Sequence, residues 1–356
     1  MNSIDQRLQQ FRERVSSATR SGSALRIRGN GTKDWYGQAL TGDVLDTTEY
    51  SGIIAYDPTE LVITARAGTT LREIGAALSD KKQMLAFEPP RFDGRATIGG
   101  IVASGLSGPR RQAVGSVRDF VLGSVLMDGK GEVLHFGGQV MKNVAGYDVS
   151  RLLCGSLGTL GLILEVSVKV LPRPFAQHSL QFAMSEQEAL HQLNVWGGQP
   201  LPISASCWHQ QKLYVRLSGA QAAVDAAITK MQGHDLPDAE KFWDGLREHT
   251  HPFLADSQQA LWRLSVPTTA PPVALPGEQL IEWGGAQRWL RTSVEAAEIR
   301  AAAIAVGGHA TLYKGGDKSV GVFQPLQSPV MRIHRDLKQA FDPAGIFNPG
   351  RMYTDF

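Results

Sequence analysis

The sequence contains only two cysteines, Cys154 and Cys207, among its 356 residues. Two thiols cannot supply a disulfide framework, an all-cysteine zinc site or a cysteine-ligated iron–sulfur cluster. Such a composition is typical of a protein from a reducing cytoplasm. Any electrons that leave this chain therefore need an acceptor on another protein.

The chain also lacks a predominantly apolar stretch of about 18 residues, the length that a membrane-spanning helix requires. Its first residues are polar and charged, without the apolar core of a secretion signal. The 36 Lys and Arg residues nearly balance the 34 Asp and Glu residues, so bulk nucleic-acid binding is not expected. We expect a cytoplasmic protein, or one held at the inner membrane only through partners.

Two nucleotide-binding signatures are missing as well. The glycines of Gly155–Gly161 precede a predicted strand, whereas the dinucleotide-binding fingerprint follows a strand and opens a helix. The segment from Gly123 to Lys130 has one residue too many for a Walker loop, and no Ser or Thr follows Lys130. A nicotinamide cofactor and nucleotide hydrolysis are therefore not supported.

Glycine, in contrast, is abundant: the chain has 38, clustered between Gly94 and Gly161. A short predicted strand runs into the turn Gly29–Thr32, where glycine allows positive φ and leaves backbone N–H groups bare. The run Thr97–Gly105 has almost no bulky polar side chain. We predict a loop there whose N–H groups bind an anion, with Arg110 and Arg111 as nearby positive charge; the alternative is a tight loop packed on a sheet.

Apolar spacing and turn residues divide the chain into predicted elements. The run Leu61–Ala67 is typical of a strand, and Thr70 and Glu73 have the spacing of a capping box at the start of a helix. The glycine clusters thin out after Leu171–Pro174, which indicates a linker and a second domain. The predicted helices cover 4–18, 186–196, 220–232, 293–306 and 331–341, and the predicted strands cover 25–28, 117–127, 131–136, 161–171 and 212–218. The proline-rich segment 265–278 is predicted to be an exposed loop.

Several of these segments together resemble a known family. The motifs Arg28–Thr32, Thr97–Gly105, Lys142–Asp148, Gly155–Gly161 and Phe341–Arg351 occur in the order seen in FAD-binding proteins of the vanillyl-alcohol oxidase / p-cresol methylhydroxylase (PCMH) type. More narrowly, the chain is similar over nearly its full length to the FAD-binding E subunits of bacterial glycolate oxidases. The similarity includes Asp57–Arg66, Gly108–Arg111 and Gly115–Gly123.

The resemblance implies an α+β fold: a two-subdomain PCMH-type FAD-binding domain, an α+β cap domain and a C-terminal return to the FAD domain. The expected boundaries are 1–172, 173–330 and 331–356. Some relatives attach FAD covalently through a histidine in the first loop, where this chain has Thr32, so non-covalent FAD is expected. The expected FAD-binding residues are Arg28, Gly29, Asn30, Gly31, Thr32, Thr97, Gly99, Gly100, Ala103, Ser104, Gly105, Gly158, Thr159, Gly161, Ile163 and Asn348.

The substrate side matches the family less well. Relatives that oxidise D-2-hydroxy acids have a metal site in the cap, with a Gly-Asp-Gly-Asn-x-His and a Gly-Glu-His-Gly stretch. Here only Gly307-Gly308-His309-Ala310 resembles the second stretch, without its Glu, so no metal site is predicted. His309 is the candidate base, and Tyr313 and Lys314 are candidates to hold a substrate carboxylate; the alternative for His309 is an ordinary turn residue. His249 and His251 are predicted to lie in a solvated loop.

The function implied is that of the FAD-binding subunit of a glycolate (2-hydroxy acid) oxidase or dehydrogenase complex. It would oxidise glycolate to glyoxylate together with a second flavin subunit and an iron–sulfur subunit. Two alternatives stay open from the sequence: an assembly subunit whose FAD does not turn over, and a stand-alone flavin-dependent 2-hydroxy acid dehydrogenase.

Overall fold

The computed structural model describes residues 3–138, 148–256 and 259–356. Of the motif Lys142–Asp148, only Asp148 belongs to the described part of the chain, and residues 142–147 lie outside it. The helices are α1 (Ser3–Ser21), α2 (Leu71–Asp80), α3 (Ile98–Ser104), α4 (Arg111–Val114), α5 (Val117–Phe120), α6 (Val149–Leu152), α7 (Glu186–Gly197), α8 (Gln221–Met231), α9 (Ala239–Glu248), α10 (Pro252–Ala255), α11 (Ala296–Ala305) and α12 (Ser328–Phe341).

Most strands belong to one of two antiparallel sheets. The strands are β1 (Leu25–Arg28), β2 (Asp43–Asp46), β3 (Ile53–Asp57), β4 (Val62–Arg66), β5 (Gln83–Met84), β6 (Val121–Met127), β7 (Val133–Gly137), β8 (Leu162–Lys169), β9 (Leu171–Pro172), β10 (Ala176–Ala183), β11 (Ile203–His209), β12 (Lys212–Gly219), β13 (His234–Asp235), β14 (Leu261–Ser265), β15 (Glu278–Glu282), β16 (Gln287–Arg291) and β17 (His309–Lys314).

The five-stranded sheet has the order β3-β4-β8-β6-β7. Its β8 strand is buried along nearly its whole length because α2 and α3 pack on the sheet. Ile74 of α2 and Ile98 of α3 share one apolar core with Val166 of β8. Beside this sheet, β1 and β2 form a parallel pair, and the C-terminal segment extends it where Leu25 donates to the Ile346 carbonyl at 2.7 Å.

The eight-stranded sheet has the order β13-β10-β12-β11-β15-β16-β14-β17. Apolar residues of α7, α8 and α11 cover one face of it. The opposite face contacts the first half of the chain, where Tyr36, Leu106 and Leu157 share an apolar cluster with Trp289 and Tyr313. This mixture of helices and antiparallel sheets agrees with the α+β fold expected from the sequence.

Three local predictions need correction. Thr97–Gly105 is not a loop: Thr97 caps the start of α3, and Gly105, with φ of 68°, ends it. The predicted strand 117–127 begins with a turn of helix, α5, which has a Ser116–Asp119 capping box. The proline-rich segment is only partly exposed, because its apolar side chains Ala270, Val273 and Leu275 are buried in the core beneath α11.

The two halves of the chain meet at a buried carboxylate, Glu88. Arg216 of β12 donates to both of its oxygens at 2.9 and 2.8 Å, and the Arg110 side chain donates from 3.1 Å. Burial alone would raise the pKa of Glu88, but the two arginines outweigh it and hold the pKa below its usual value. Arg110 also reaches across to the second half, where it donates to Gln177 and Ser218 at 3.4 Å each, so its charge is used at this junction. Arg111 instead lies 4.4 Å from the centre of the Trp283 ring.

The C-terminal segment is held by a second buried charge. Lys338 of α12 donates to Asp342 at 2.7 Å and to the carbonyls of Thr159 and Phe347 at 2.8 Å each. Asp342 also accepts the backbone N–H groups of Ile346 and Phe347. This pair thereby fixes both the end of α12 and the chain that leads to Asn348.

Replacing this buried ammonium tests its contribution to stability. Lys338→Met leaves the fully buried Asp342 without its counter-charge, so we expect the free energy of unfolding to fall by about 3–5 kcal/mol. Arg332→Met on the same helix is the matched control, since Arg332 and Asp336 form an exposed pair 3.9 Å apart. Urea unfolding followed by circular dichroism measures both variants. Equal midpoints for the two would contradict this assignment.

Candidate functional site

A cleft lies where the turn after β1, the start of α3, the Gly155–Gly161 loop and Asn348 come together. Fourteen of the sixteen expected FAD-binding residues line it: Arg28, Gly29, Asn30, Gly31, Thr32, Thr97, Gly99, Gly100, Ala103, Ser104, Gly158, Gly161, Ile163 and Asn348. The structure thus brings together segments that lie up to about three hundred residues apart in the sequence.

The turn after β1 is fixed by charged and polar side chains. Arg28 and Arg26 both donate to Asp34, at 3.0 and 2.6 Å, which closes the turn on itself. Asn30 donates from its side-chain amide to the Arg95 carbonyl at 2.8 Å and so ties the turn to the segment before α3. Gly31 has a φ of 67°, a conformation that most side chains disfavour.

Glycine lets α3 approach both the sheet and this turn. A Cβ on Gly99 would stand 2.6 Å from the Cβ of Ala67 in the segment after β4, so this glycine is needed for packing. A Cβ on Gly29 would stand 2.6 Å from the Thr97 hydroxyl. Gly100 also lines the cleft but has more space, because a Cβ there would meet Thr97 at 3.1 Å and the end of Lys33 at 3.5 Å.

Asn348 connects the two sides of the cleft. Its side-chain oxygen accepts the N–H of Ile27 in β1 at 2.8 Å, and its amide donates to the Leu157 carbonyl at 2.6 Å. A Cβ on Gly158 would come within 2.7 Å of that amide. Only the family resemblance indicates Asn348 as a site residue, since the bare sequence predicts an ordinary turn.

Two of the expected FAD-binding residues do not line the cleft. Gly105 ends α3 in a left-handed conformation and packs against Gly155, where a Cβ would come within 3.1 Å of its Cα. Thr159 is buried and donates its hydroxyl to the Ser156 carbonyl at 2.8 Å. Both residues hold the neighbouring backbone in place, and their contact with the cofactor stays a prediction.

Lys33 lines this cleft and was not indicated by the sequence. Lys33 donates to the Thr32 hydroxyl at 2.9 Å and lies 5.5 Å from the centre of the Phe92 ring. Burial lowers the pKa of its ammonium to about 8, and Asp34 only partly offsets that shift. The sequence did not indicate Arg351 either. It donates to the carbonyls of Lys33 and Asp34 at 3.3 and 3.1 Å and so stabilises the turn.

These residues fit an elongated anionic cofactor such as FAD. Glycines at Gly29, Gly100 and Gly158 leave the walls of the cleft without side chains, so a bulky ligand can approach the backbone. A lysine and an arginine at one end, Lys33 and Arg28, supply the positive charge that a diphosphate requires. Thr32 carries no nucleophilic ring nitrogen, so this position cannot form a histidyl–flavin bond.

The predicted catalytic residues all belong to β17 but differ in their surroundings. His309, at the start of the strand, is exposed. Tyr313 is buried, and its ring centre lies 5.3 Å from that of Tyr36, which lines the cleft. Lys314 is partly buried at the end of the strand. The structure therefore brings only Tyr313 close to the cleft.

A second, narrow cavity of about 10 Å³, room for about one water molecule, lies near Tyr36 but shares no lining residue with the cleft. Arg263 of β14 donates to the Tyr36 hydroxyl at 3.0 Å and lines this cavity together with Tyr313, His249 and Glu282. Residues Leu106–Pro109 close it from the other half of the chain. Burial, with repulsion from Lys314 and Arg263, lowers the pKa of His249 to about 4. His249 packs against the rings of Trp289 and Tyr313, so its prediction as a solvated-loop residue is wrong.

The described ranges contain neither a metal cluster nor a membrane-spanning helix. Within residues 3–138, 148–256 and 259–356, no three His, Cys, Asp or Glu side chains come together in a way that could hold a metal ion. No helix in the same ranges is long and apolar enough to cross a membrane.

Comparison with known proteins places the chain in a family. A model of the FAD binding domain matches residues 6–137. The D-lactate dehydrogenase of Anaerostipes hadrus is 34% identical over 139 residues, which cover 39% of this chain and 29% of that protein. An alkyldihydroxyacetonephosphate synthase structure, 16% identical, superposes with a TM-score of 0.65 over 95% of this chain and 74% of its own, and so shares the fold.

The match with one further protein is far more extensive. The glycolate oxidase subunit GlcE of Escherichia coli (strain K12) is 50% identical over 343 residues, which cover 96% of each chain. With half of its residues identical over nearly the whole length, the protein belongs to the glycolate oxidase subunit GlcE family of FAD-binding proteins.

Proposed function

We propose that this chain is the FAD-binding subunit of a glycolate (2-hydroxy acid) oxidase or dehydrogenase complex. The observation that carries the proposal is the glycine-lined cleft at the turn after β1, α3 and Asn348, whose lining fits FAD in a chain that is 50% identical to a glycolate oxidase subunit. The proposed boundaries are 1–172 for the FAD domain, 173–330 for the cap and 331–356 for the return segment.

In this proposal the chain holds FAD without a covalent bond. The turn Arg28–Thr32 and Lys33 bind the diphosphate, the α3 segment lies beside the flavin ring, and the Gly158–Ile163 segment contacts the adenine half. Asn348 fixes the distance between β1 and the Gly155–Gly161 loop through its two hydrogen bonds. When bound, FAD supplies a two-electron acceptor.

On the substrate side, Arg263 is the side chain best placed to bind a carboxylate. Its guanidinium carbon lies 5.8 and 5.2 Å from the ring centres of Tyr36 and Tyr313, and one N–H group donates to the Tyr36 hydroxyl. Tyr313 stays protonated because burial raises its pKa, so it can donate a hydrogen bond but cannot act as a base. His309 is not favoured for catalysis, since it is exposed at the sheet edge, and the charge of Lys314 helps to lower the pKa of His249.

The electrons must then leave through partner subunits. The chain has two cysteines, and burial raises the pKa of both thiols, which disfavours the thiolate that ligates iron. We therefore propose a second flavin subunit and an iron–sulfur subunit as partners. The proposed location is the cytoplasm, with contact to the inner membrane only through those partners.

A single glycine tests the cofactor cleft. Gly100→Val adds a branched side chain that points into the cleft, so we expect FAD affinity to fall at least about ten-fold while the fold persists. Gly75→Val on α2 is the control, because no heavy atom lies within 4 Å of the added Cβ. FAD content is measured after acid precipitation, which releases a non-covalent flavin. Full FAD content in the Gly100→Val variant would show that α3 is not part of the FAD site. Flavin retained by the precipitate would show a covalent link.

The pH dependence of FAD binding tests Lys33. Because the pKa of Lys33 is lowered to about 8, raising the pH from 7 to 9.5 removes its charge in the FAD-free chain, and the Kd for FAD should rise about ten-fold. Lys33→Met should bind FAD more weakly at pH 7 and show no such rise, whereas Lys33→Arg should keep tight binding at pH 9.5. Flavin fluorescence titration gives the constants. Identical pH profiles for the wild type and Lys33→Met would refute the assignment.

Anaerobic mixing with glycolate tests the function itself. We expect the flavin absorbance of this chain to bleach once the partner subunits are present. In a complex built with the FAD-deficient Gly100→Val chain, the amount of flavin that bleaches should be smaller by one equivalent. Bleaching of the isolated chain would favour a stand-alone dehydrogenase. If the Gly100→Val complex bleached to the same extent as the wild type, this chain would be an assembly subunit.

A further inference from the structure

A wide groove beside α2 has no part in the function proposed so far. It lies between the two halves of the chain, has a volume of about 550 Å³ and opens to solvent. Part of its lining is apolar, with Leu78, Met84 and Pro89, and it shares no lining residue with the FAD cleft. A groove of this size can bury a small ligand or a segment of another protein.

Gly75 leaves an opening in the apolar face of α2. Leu71, Gly75 and Leu78 are four and three residues apart, so they lie on one face of the helix, and this face forms a wall of the groove. Gly75 is exposed, its φ is not positive, and an added Cβ would meet no heavy atom within 4 Å. Glycine inside a helix lowers stability relative to alanine. No contact in the described chain requires this glycine, as is expected where a group from outside approaches the helix backbone.

Arginine supplies the positive charge of the groove, which is lined by five arginines and three acids. Arg110 and Arg216 are buried and share the carboxylate of Glu88. Their hydrogen bonds to described residues use the Nε and Nη2 atoms, and their Nη1 atoms make none. Neither Nη1 atom is enclosed, so both stay accessible from the groove. Two guanidinium groups that share one carboxylate can bind a second anion.

Arg173 adds charge at the rim. No acid of the described residues pairs with it within 4.0 Å, and its hydrogen bonds to the Gln83 carbonyl and the Ser79 hydroxyl are both 3.4 Å long. The acids of the opposite wall belong to α9, where Asp244 is already paired with Arg247 at 2.8 Å. The side of the groove that carries Arg110, Arg173 and Arg216 therefore attracts an anion.

Phe175 lies beside the same rim. It is 97% exposed, more than any other large apolar residue of the described chain, and its neighbours Pro174 and Gln177 line the groove. Isolated exposed apolar residues are common on protein surfaces. Here, however, an aromatic ring, a methionine and five arginines occur together, and no lysine belongs to the described lining. Aromatic residues, Met and Arg are enriched in protein–protein interfaces, and Lys is depleted there.

We propose that the groove beside α2 binds a segment of a partner subunit that carries a carboxylate next to an apolar side chain. The carboxylate binds Arg110, Arg173 and Arg216, and the apolar side chain packs on α2 over Gly75. Phe175 packs against the partner outside the groove, which favours a protein over a small acid, since a molecule confined to the groove would leave that ring in water. The inference rests on the proposed function, because it takes from it that the chain works in a complex.

The first test uses the opposite effects that one methyl group should have on folding and on assembly. Gly75→Ala should raise the unfolding temperature of the isolated chain by about 1–2 °C, because alanine favours the helix. It should also lower the fraction of chain found in the complex, and Gly75→Leu should lower that fraction at least about ten-fold. Ala76→Leu is the matched control, since Ala76 is exposed on the same helix but does not line the groove. Native mass spectrometry of the co-expressed subunits gives the fractions.

The second test changes the rim. Arg173→Glu and Phe175→Ser should each lower the fraction of chain in the complex at least about ten-fold, with the FAD content of the chain unchanged. Arg332→Glu and Ile304→Ser are the controls, because Arg332 is an exposed arginine of α12 and Ile304 is 58% exposed on α11.

A photo-crosslinker in place of Phe175 identifies the occupant in the assembled complex. It should link this chain to a peptide of the second flavin subunit or the iron–sulfur subunit that has Asp or Glu beside an apolar residue. Changing that acid to its amide should then lower assembly as strongly as Arg173→Glu does. A linked peptide without an acid would show that the proposed chemistry is wrong.

The outcomes separate this inference from the proposed function. If Gly75→Leu, Arg173→Glu and Phe175→Ser assemble like the wild type, the groove is not the docking site, although glycolate still bleaches the flavin of those complexes. If Gly75→Ala destabilises the isolated chain, the glycine has a role within the fold and the inference is wrong. If citrate or benzoate slows hydrogen–deuterium exchange of 71–91 in the isolated chain and complex formation does not, the groove belongs to a small acid instead. If the wild-type chain forms no complex at all, the proposed partners fail together with the inference, while FAD binding to the chain is unaffected.

Discussion

Glu88 is the contact on which the geometry of the whole site depends. It belongs to the first half of the chain, and its carboxylate accepts from Arg216 of β12 in the eight-stranded sheet. A buried charge of this kind tolerates little displacement, because loss of either arginine leaves an uncompensated carboxylate at a cost of about 3–5 kcal/mol. The two halves are therefore fixed relative to each other, and the cavity between Leu106–Pro109 and the sheet keeps its shape.

Glu248 reinforces the same junction. Its carboxylate accepts the backbone N–H groups of Arg91 and Phe92 at 2.8 Å each, and Arg247 donates to it at 2.8 Å. Glu88 and Glu248 are thus fully paired across the junction, whereas Glu282, which lies between the same surfaces, is not. The ion pairs of the junction therefore lie beside an acid that is buried without one.

The cofactor side of the site could be predicted because its signals are local. Each signal can be recognised from a few consecutive residues: a glycine turn after a strand, a pair of glycines after Thr97, and a loop with glycines three residues apart. The same local signals explain one error: the lack of polar side chains in 97–105 predicts a loop, although Thr97 and Gly105 are a helix cap and a helix end. Lys33 gives no such signal, because an isolated lysine next to a turn is usually solvated.

The substrate side could not be predicted in this way. Arg263 and Glu282 stand nineteen residues apart in no motif, and only the register of β14, β16 and β15 places them on one face. Their common cavity also needs Leu106–Pro109 from the other half of the chain. Sequence similarity points to His309 instead. His309 is exposed, however, whereas Tyr313 on the same strand is buried.

The central claim is that FAD occupies the cleft at β1 and α3, and hydrogen–deuterium exchange on the FAD-free and FAD-loaded chain tests it most directly. A second groove of the same junction, lined by Leu71, Leu78 and Met84, offers an alternative place for a large ligand. We predict that FAD slows exchange in peptides covering 26–36, 97–105, 155–163 and 346–351, with 71–85 unchanged. Slower exchange confined to 71–85 would contradict the account.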